Sequence, residues 1–188
     1  MKTPDGHGGA AAGGGILERL RSVAGLGDRE PGMRPRHGVA RLRRETVVAQ
    51  GLEETFAFFA DAGNLNLLTP SWVGFKILSP LPLDMRAGRL IDYRIRIHGV
   101  PVRWRTKIIV WDPPHRFVDL QVRGPYRWWH HEHRFEKAEG GTRVIDEVDY
   151  ASPLWWIMHP LIVRRDVERI FDFRAGALQR ELNRAGAR

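Results

Sequence analysis

The residues predict an α+β fold: a curved antiparallel sheet of about seven strands wrapped on one long C-terminal helix, with two short helices after the first strand. Three observations carry this. From residue 75 to 150 the apolar residues recur with period two, broken by turn signals at hairpin spacing. The run 161–183 shows period 3.6 instead. The segment 53–69 between the first and second strands is short and helical in pattern, too short to make a layer alone.

Taken in order, residues 41–50 carry β-branched Thr46, Val47 and Val48 and read as a strand that Gly51 breaks. The stretch EETFAFFA (53–60) spaces Phe56 and Phe59 on one face and places its acids in the first turn, which suits a helix N-terminus. DAGNLNLLT (61–69) follows as a second short helix stopped by Pro70. Strands are then expected at 75–79, 89–98, 102–111, 117–123, 127–137 and 143–150. Gly99-Val100-Pro101, Asp112-Pro113-Pro114, Gly124-Pro125 and Glu139-Gly140-Gly141 separate the last five. Connections this short make an antiparallel meander. Val163, Val167, Ile170, Phe171, Arg174, Leu178 and Leu182 lie close to one face of the final helix, which covers the apolar face of the sheet.

Composition narrows the function. The chain has 188 residues, no cysteine and a net charge of +8. Without cysteine there is no disulfide framework, thiolate metal site or thiol nucleophile. No apolar run approaches the roughly 20 residues of a membrane-spanning helix, and residues 1–15 lack the apolar stretch of a signal peptide. A soluble, cytoplasmic protein is therefore expected. Residues 1–44 hold nine cations and four anions, so the remaining 144 contribute only +3. The charge thus sits in a Gly-, Ala- and Arg-rich extension, and no specific nucleic-acid partner is expected. The extension, 1–40, reads as disordered and dispensable for folding, with a possible short amphipathic helix at 16–26. The domain proper is 41–188.

The runs NLNLLTP (64–70), FVDLQVRGPYRWWHHEHRF (117–135) and GTRVIDEVDYASP (141–153), in this element order, resemble a bacterial ligand-binding group of the START-like (SRPBCC) superfamily. That superfamily also includes polyketide cyclases/dehydrases and the birch-pollen-allergen proteins. The resemblance covers about residues 41–185 and implies a helix-grip fold with a cavity between the sheet and the helix 161–183. It does not choose among carriers, sensors and cyclases.

The inner face can be read further from alternation and turn spacing. Apolar-side parity and the shortest hairpins set Ile95, Trp104, Gln121 and Trp129 in one row. Ile91, Ile108, Phe117, His133 and Val148 form another. Between them Tyr93, Thr106, Asp119, His131 and Tyr150 make a polar line, with Asp119 opposite His131 and Asp146 diagonal to His133. A few convergent polar groups in an apolar cavity mark a small-molecule site. The candidate ligand-binding set is Tyr93, Trp104, Thr106, Asp119, Gln121, Trp129, His131, His133 and Tyr150. The leading expectation is binding of a hydrophobic, lipid- or polyketide-like molecule. The alternative is a cyclase or dehydratase in which Asp119 and His131 are catalytic and move a proton. His131 and His133 point the same way and, with Asp119 or Asp146, have the chemistry of metal ligands. A satisfied polar pair is the commoner outcome, so no metal and no cofactor are assigned. Arg94, Arg96, Arg103 and Arg105 face outward and read as a solvated surface.

The segment 153–160 holds Trp155 and Trp156 between two prolines. It reads either as a lid touching ligand or, transiently, a membrane surface, or as a connector packed on residues 53–69. The ligand's identity and the oligomeric state are not legible in the residues.

Overall fold

The computed structural model describes residues 37–154 and 162–185. The extension, its 16–26 helix and the Trp155–Trp156 pair lie outside these residues.

Strand β1 (Ala40–Val48) is followed by helix α1 (Leu52–Ala60), then strands β2 (Lys76–Ile77), β3 (Leu90–Ile97), β4 (Val100–Asp112), β5 (Arg116–Arg123), β6 (Trp128–Ala138) and β7 (Gly141–Ala151), and helix α2 (Arg164–Ala185). The seven strands form one antiparallel sheet in the order β1-β7-β6-β5-β4-β3-β2. A meander therefore runs from β2 to β7, and β1 closes onto its far edge. This is the α+β helix-grip architecture. Among the described residues no helix is long and apolar enough to cross a membrane.

The expected second short helix is present and of the tighter 3-10 kind, Ala62–Asn66, capped by the Asp61 side chain, which accepts from the Gly63 N–H. A second 3-10 turn, Ser71–Val73, follows Pro70. Tight 3-10 turns suit a stretch whose Asn, Gly and Asp compete for the backbone's hydrogen bonds.

Helix α1 buries Leu52, Thr55, Phe56 and Phe59 at i, i+3, i+4 and i+7. Phe56 and Phe59 meet Phe135 edge-on, at 5.4 and 4.9 Å between ring centres. Helix α2 buries Val167, Phe171, Leu178 and Leu182, each contributing roughly 1.5–3 kcal/mol. Two apolar clusters result: one around Phe56, Phe59, Phe117, Phe135 and Leu178, the other around Leu42, Val148, Tyr150, Val167 and Phe171. Arg174 falls between them on the same helical face, also buried.

The inward parity is as the sequence predicts on β3 to β7, but three registers move by two or three residues. The β3–β4 hairpin turns on His98-Gly99, both with positive φ (48° and 84°), rather than on Gly99-Val100. Two such residues make the turn whose twist matches a hairpin. The β6–β7 hairpin likewise turns on Glu139-Gly140, with Gly140 at φ 81°. In β4–β5 two irregularities, at Arg105/Thr106 and Ile108/Val110, displace the pairing. Only β5–β6 keeps the expected register, with Asp119 opposite His131 and Phe117 opposite His133. Asp119 thus faces Ile108 on β4 instead of Thr106, and His131 faces Val148 on β7 instead of Tyr150. Asp146 comes directly opposite His133. A shift of two preserves faces and exchanges neighbours.

On the convex face Arg105 makes a two-pronged pair with Asp92, at 2.7 and 3.0 Å. Arg94 and Arg103 lie directly opposite each other.

Candidate functional site: a buried Asp-His cluster on a cavity wall

A cavity of about 720 Å³ lies between the concave face of the sheet, α1, the 3-10 turns and α2. Its size falls within the usual range for small-molecule sites, ~300–1,000 Å³. Phe58 and Phe59 line it from α1, Leu68 and Trp72 from the turns, Ile91 and Ile108 from the sheet, and Ile170 and Phe171 from α2. Of the nine predicted ligand residues, Tyr93, Trp104, Thr106, Asp119, Trp129, His131 and His133 are on this wall. Gln121 and Tyr150 are not among its lining residues.

Those two have structural surroundings. The Gln121 amide donates to the Tyr126 carbonyl at 2.7 Å and its oxygen accepts from the Tyr126 N–H at 3.3 Å. It braces the Gly124-Pro125 turn. Tyr150 packs in the second apolar cluster. Gln121→Ala is expected to cost about 1–2 kcal/mol, the loss of two backbone partners, while leaving ligand affinity unchanged. Urea unfolding beside a binding titration checks this; a large affinity loss at unchanged stability returns Gln121 to the ligand set.

The aromatic end of the wall is a stack. Tyr93 lies against Trp104 (5.7 Å, 19°), and Trp104 meets Trp129 edge-on (5.2 Å, 88°). Trp104 is 6% exposed, and its indole N–H has no hydrogen-bond partner among the described residues. The buried Ser152 hydroxyl, also on the wall, has none either. Buried polar groups are nearly always paired, so both are free to meet a ligand. Burial, with Asp119 adding to it, pushes the Tyr93 hydroxyl well above the ordinary tyrosine range, so it is a neutral donor.

The polar end is a closed ring of four side chains. His131 Nε2 and His133 Nδ1 approach one oxygen, Asp146 Oδ1, at 3.1 and 2.7 Å. His131 Nδ1 and His133 Nε2 approach another, Asp119 Oδ2, at 3.4 and 3.3 Å. Thr106 Oγ1 lies 3.1 Å from Asp119 Oδ1, and Arg174 Nε lies 3.2 Å from Asp146 Oδ2. Period-two alternation puts both imidazoles on the same face of β6, and β5 and β7 flank them with one carboxylate each. The His133 ring stacks on Phe117 at 4.2 Å.

Burial, reinforced by the neighbouring His133, lowers the His131 imidazole to about 4 against the pull of both carboxylates. Burial by itself would raise Asp119, but the His133 hydrogen bond and the two rings outweigh it and hold the carboxyl below its ordinary value. Asp146 is likewise opposed by burial, yet Arg174 and then His133 hold it well below. Both carboxylates are therefore ionised at neutral pH, and His131 is neutral.

Sequence reasoning missed Arg174, which it counted only as part of the apolar face of α2, and gave Asp146 a minor place. A lone Arg among Val167, Phe171 and Leu178 was the available signal: a buried cation needs a buried anion.

A family model described as polyketide cyclase / dehydrase and lipid transport matches residues 48–173, more than half of the chain. The chain belongs to that family. No curated protein matches it in sequence. Solved structures share the fold of this chain. Protein Ms6760 from Mycobacterium smegmatis is 18% identical with a TM-score of 0.58, covering 78% of this chain and 92% of its own. Ginseng major latex-like protein 151 from Panax ginseng is 10% identical with a TM-score of 0.59, covering 78% and 99%. The di-domain ARO/CYC StfQ from the steffimycin biosynthetic pathway is 10% identical with a TM-score of 0.63; the match covers 80% of this chain and 52% of that one. At these identities the likeness is one of fold.

Proposed function

We propose that the chain binds a hydrophobic small molecule carrying one polar end, enclosing it between the sheet and α2. The observation that carries this is the cavity of about 720 Å³ with apolar and aromatic walls and one compact polar cluster. Trp104, Trp129, Ile108 and Phe171 would hold the apolar body. The Trp104 N–H, the Ser152 hydroxyl and the Asp119 end of the cluster would orient the polar group. A cytoplasmic carrier or sensor role fits this reading.

The test is native mass spectrometry of the full-length chain, followed by titration of stripped protein with fatty acids, sterols and polycyclic phenols. A copurifying organic mass that rebinds at one equivalent is the expected result. Trp104→Phe, which keeps an aromatic face but removes the N–H and part of the indole, should weaken binding at least about 3–10-fold, the worth of one hydrogen bond. No copurifying mass and no binding across the panel would overturn the reading.

A second reading, a cyclase or dehydratase, draws on the Asp119–His131 contact lying on the cavity wall. It ranks below binding because an imidazole lowered to about 4 is a weak base at neutral pH. Turnover of a polyketone mimic that is lost in His131→Gln would promote it.

A further inference from the structure

The four ring-nitrogen contacts of His131 and His133 cannot all be hydrogen bonds. Only two of them have hydrogen-bond geometry, His131 Nε2 to Asp146 Oδ1 and His133 Nε2 to Asp119 Oδ2. The other two, His131 Nδ1 to Asp119 Oδ2 and His133 Nδ1 to Asp146 Oδ1, bring a ring nitrogen to a carboxylate oxygen without a directed hydrogen bond.

The shortest of the four is one of these latter two, His133 Nδ1 to Asp146 Oδ1 at 2.7 Å. It is poorly aligned, and this buried nitrogen has no well-directed hydrogen bond. His131 Nε2 donates to the same oxygen at 3.1 Å. With an ion in place of the His133 Nε2 proton, Asp146 Oδ1 would take both ring protons, while Arg174 occupies the side of its Oδ2. On the opposite side, Asp119, His131 and His133 each offer one ligand atom within 4.8 Å of the others; His131 Nδ1 lies 3.4 Å and His133 Nε2 3.3 Å from Asp119 Oδ2, the latter a hydrogen bond whose proton an ion would displace.

We infer that Asp119, His131 and His133 form a divalent transition-metal site, with Asp146 as the outer carboxylate that fixes both histidine tautomers. A tetrahedral ion with bonds of about 2.0–2.1 Å separates its ligands by about 3.3 Å. The two distances to Asp119 Oδ2, 3.3 and 3.4 Å, already have that length. Ligating histidines characteristically donate their other N–H to a carboxylate, and here one Asp serves both. Arg174 balances Asp146, so a divalent ion beside Asp119 leaves a net charge of +1. The donor set of two imidazoles and one carboxylate suits zinc, cobalt or iron(II) over magnesium or calcium. All three ligands line the cavity, so the fourth position opens onto it and fits an anionic oxygen, a carboxylate or an enolate.

Only that fourth ligand rests on the proposed function; the metal is tested with no organic molecule present. Full-length protein stripped with chelator is titrated with Co²⁺ at pH 7.5. One equivalent should give the intense visible absorption of tetrahedral Co²⁺, bleached by Zn²⁺. Asp119→Asn and His133→Gln should each weaken Co²⁺ binding at least tenfold, while His130→Gln, on the opposite face of β6, should leave it unchanged. Should either ligand variant fail to fold by circular dichroism, the wild type still decides: Zn²⁺ must raise its melting temperature, to the same degree in His130→Gln. Absence of the tetrahedral spectrum, or full binding by a folded Asp119→Asn, overturns the site. Organic ligands that bind chelator-treated protein normally would leave the carrier reading standing when the metal site fails.

Discussion

Asp146→Ala should cost about 3–5 kcal/mol of folding stability, the loss expected when one member of a buried ion pair is removed. Asp146 is 5% exposed and Arg174 8%. With the carboxylate gone, the guanidinium is left inside the protein beside the Phe59 ring, 5.4 Å away, with no buried anion in its place. Both imidazoles lose their shared acceptor as well. The effect should be non-additive: Arg174→Met added to Asp146→Ala removes the stranded charge and should recover part of the loss. Urea denaturation of the four proteins of this cycle measures it. A single-variant cost under about 1 kcal/mol, or a double variant that merely sums two penalties, would show that the pair is not the keystone of the cluster.

Acid should destabilise the protein in two stages. His131 has a folded value near 4 against an ordinary 6.5, so the unfolded chain binds its proton more readily than the folded one. Its contribution is complete above pH 6.5 and is lost as the pH falls to about 4, on the order of 3 kcal/mol in all. The groups that face it are His133 on β6, Asp119 on β5, Asp146 on β7 and Arg174 on α2. The two carboxylates act lower. Their folded values are depressed, so their stabilisation is present above the ordinary carboxylate pKa and disappears as the pH falls through the folded values. Urea midpoints in chelator from pH 7.5 to 4 should fall steeply for the wild type and nearly flatten in His131→Gln. Parallel slopes for the two proteins would assign the acid sensitivity elsewhere.

The fold was legible because two periods alternate cleanly along the chain, and because side-chain parity survives errors in pairing. Ile91, Trp104, Phe117, His131 and Val148 face inward whichever way the hairpins are set, so most of the cavity wall could be named without coordinates. The pairing itself was less legible. The β3–β4 turn depends on His98, a non-glycine residue, accepting φ 48°, a cost that composition does not announce. The β4–β5 irregularities have no strong local signature. Asp119 opposite His131 was legible, but the two-residue shift of β6 against β7 hid the other half of the site, Asp146 directly opposite His133, with one carboxylate on each side of the histidine pair. Arg174 was hidden for a different reason. Its place opposite Asp146 follows from how α2 lies across the sheet, which no periodicity encodes.

The Glu139-Gly140 hairpin has a meaning beyond its own geometry. It fixes how far β7 travels before Asp146 arrives beside His133, six residues back from Glu139 along β6 and six forward from Gly140 along β7. One residue more or less between them would turn one strand over relative to the other and carry a carboxylate or an imidazole out to water. Two residues would return every side chain to its face and leave the histidines with the wrong neighbour. Gly141 closes off the adjustment, since a Cβ there would sit 2.0 Å from the Val48 carbonyl oxygen on β1. This corner of the sheet is a ruler: its length, rather than any contact it makes, sets the chemistry some 20 Å away, at roughly 3.3 Å per residue.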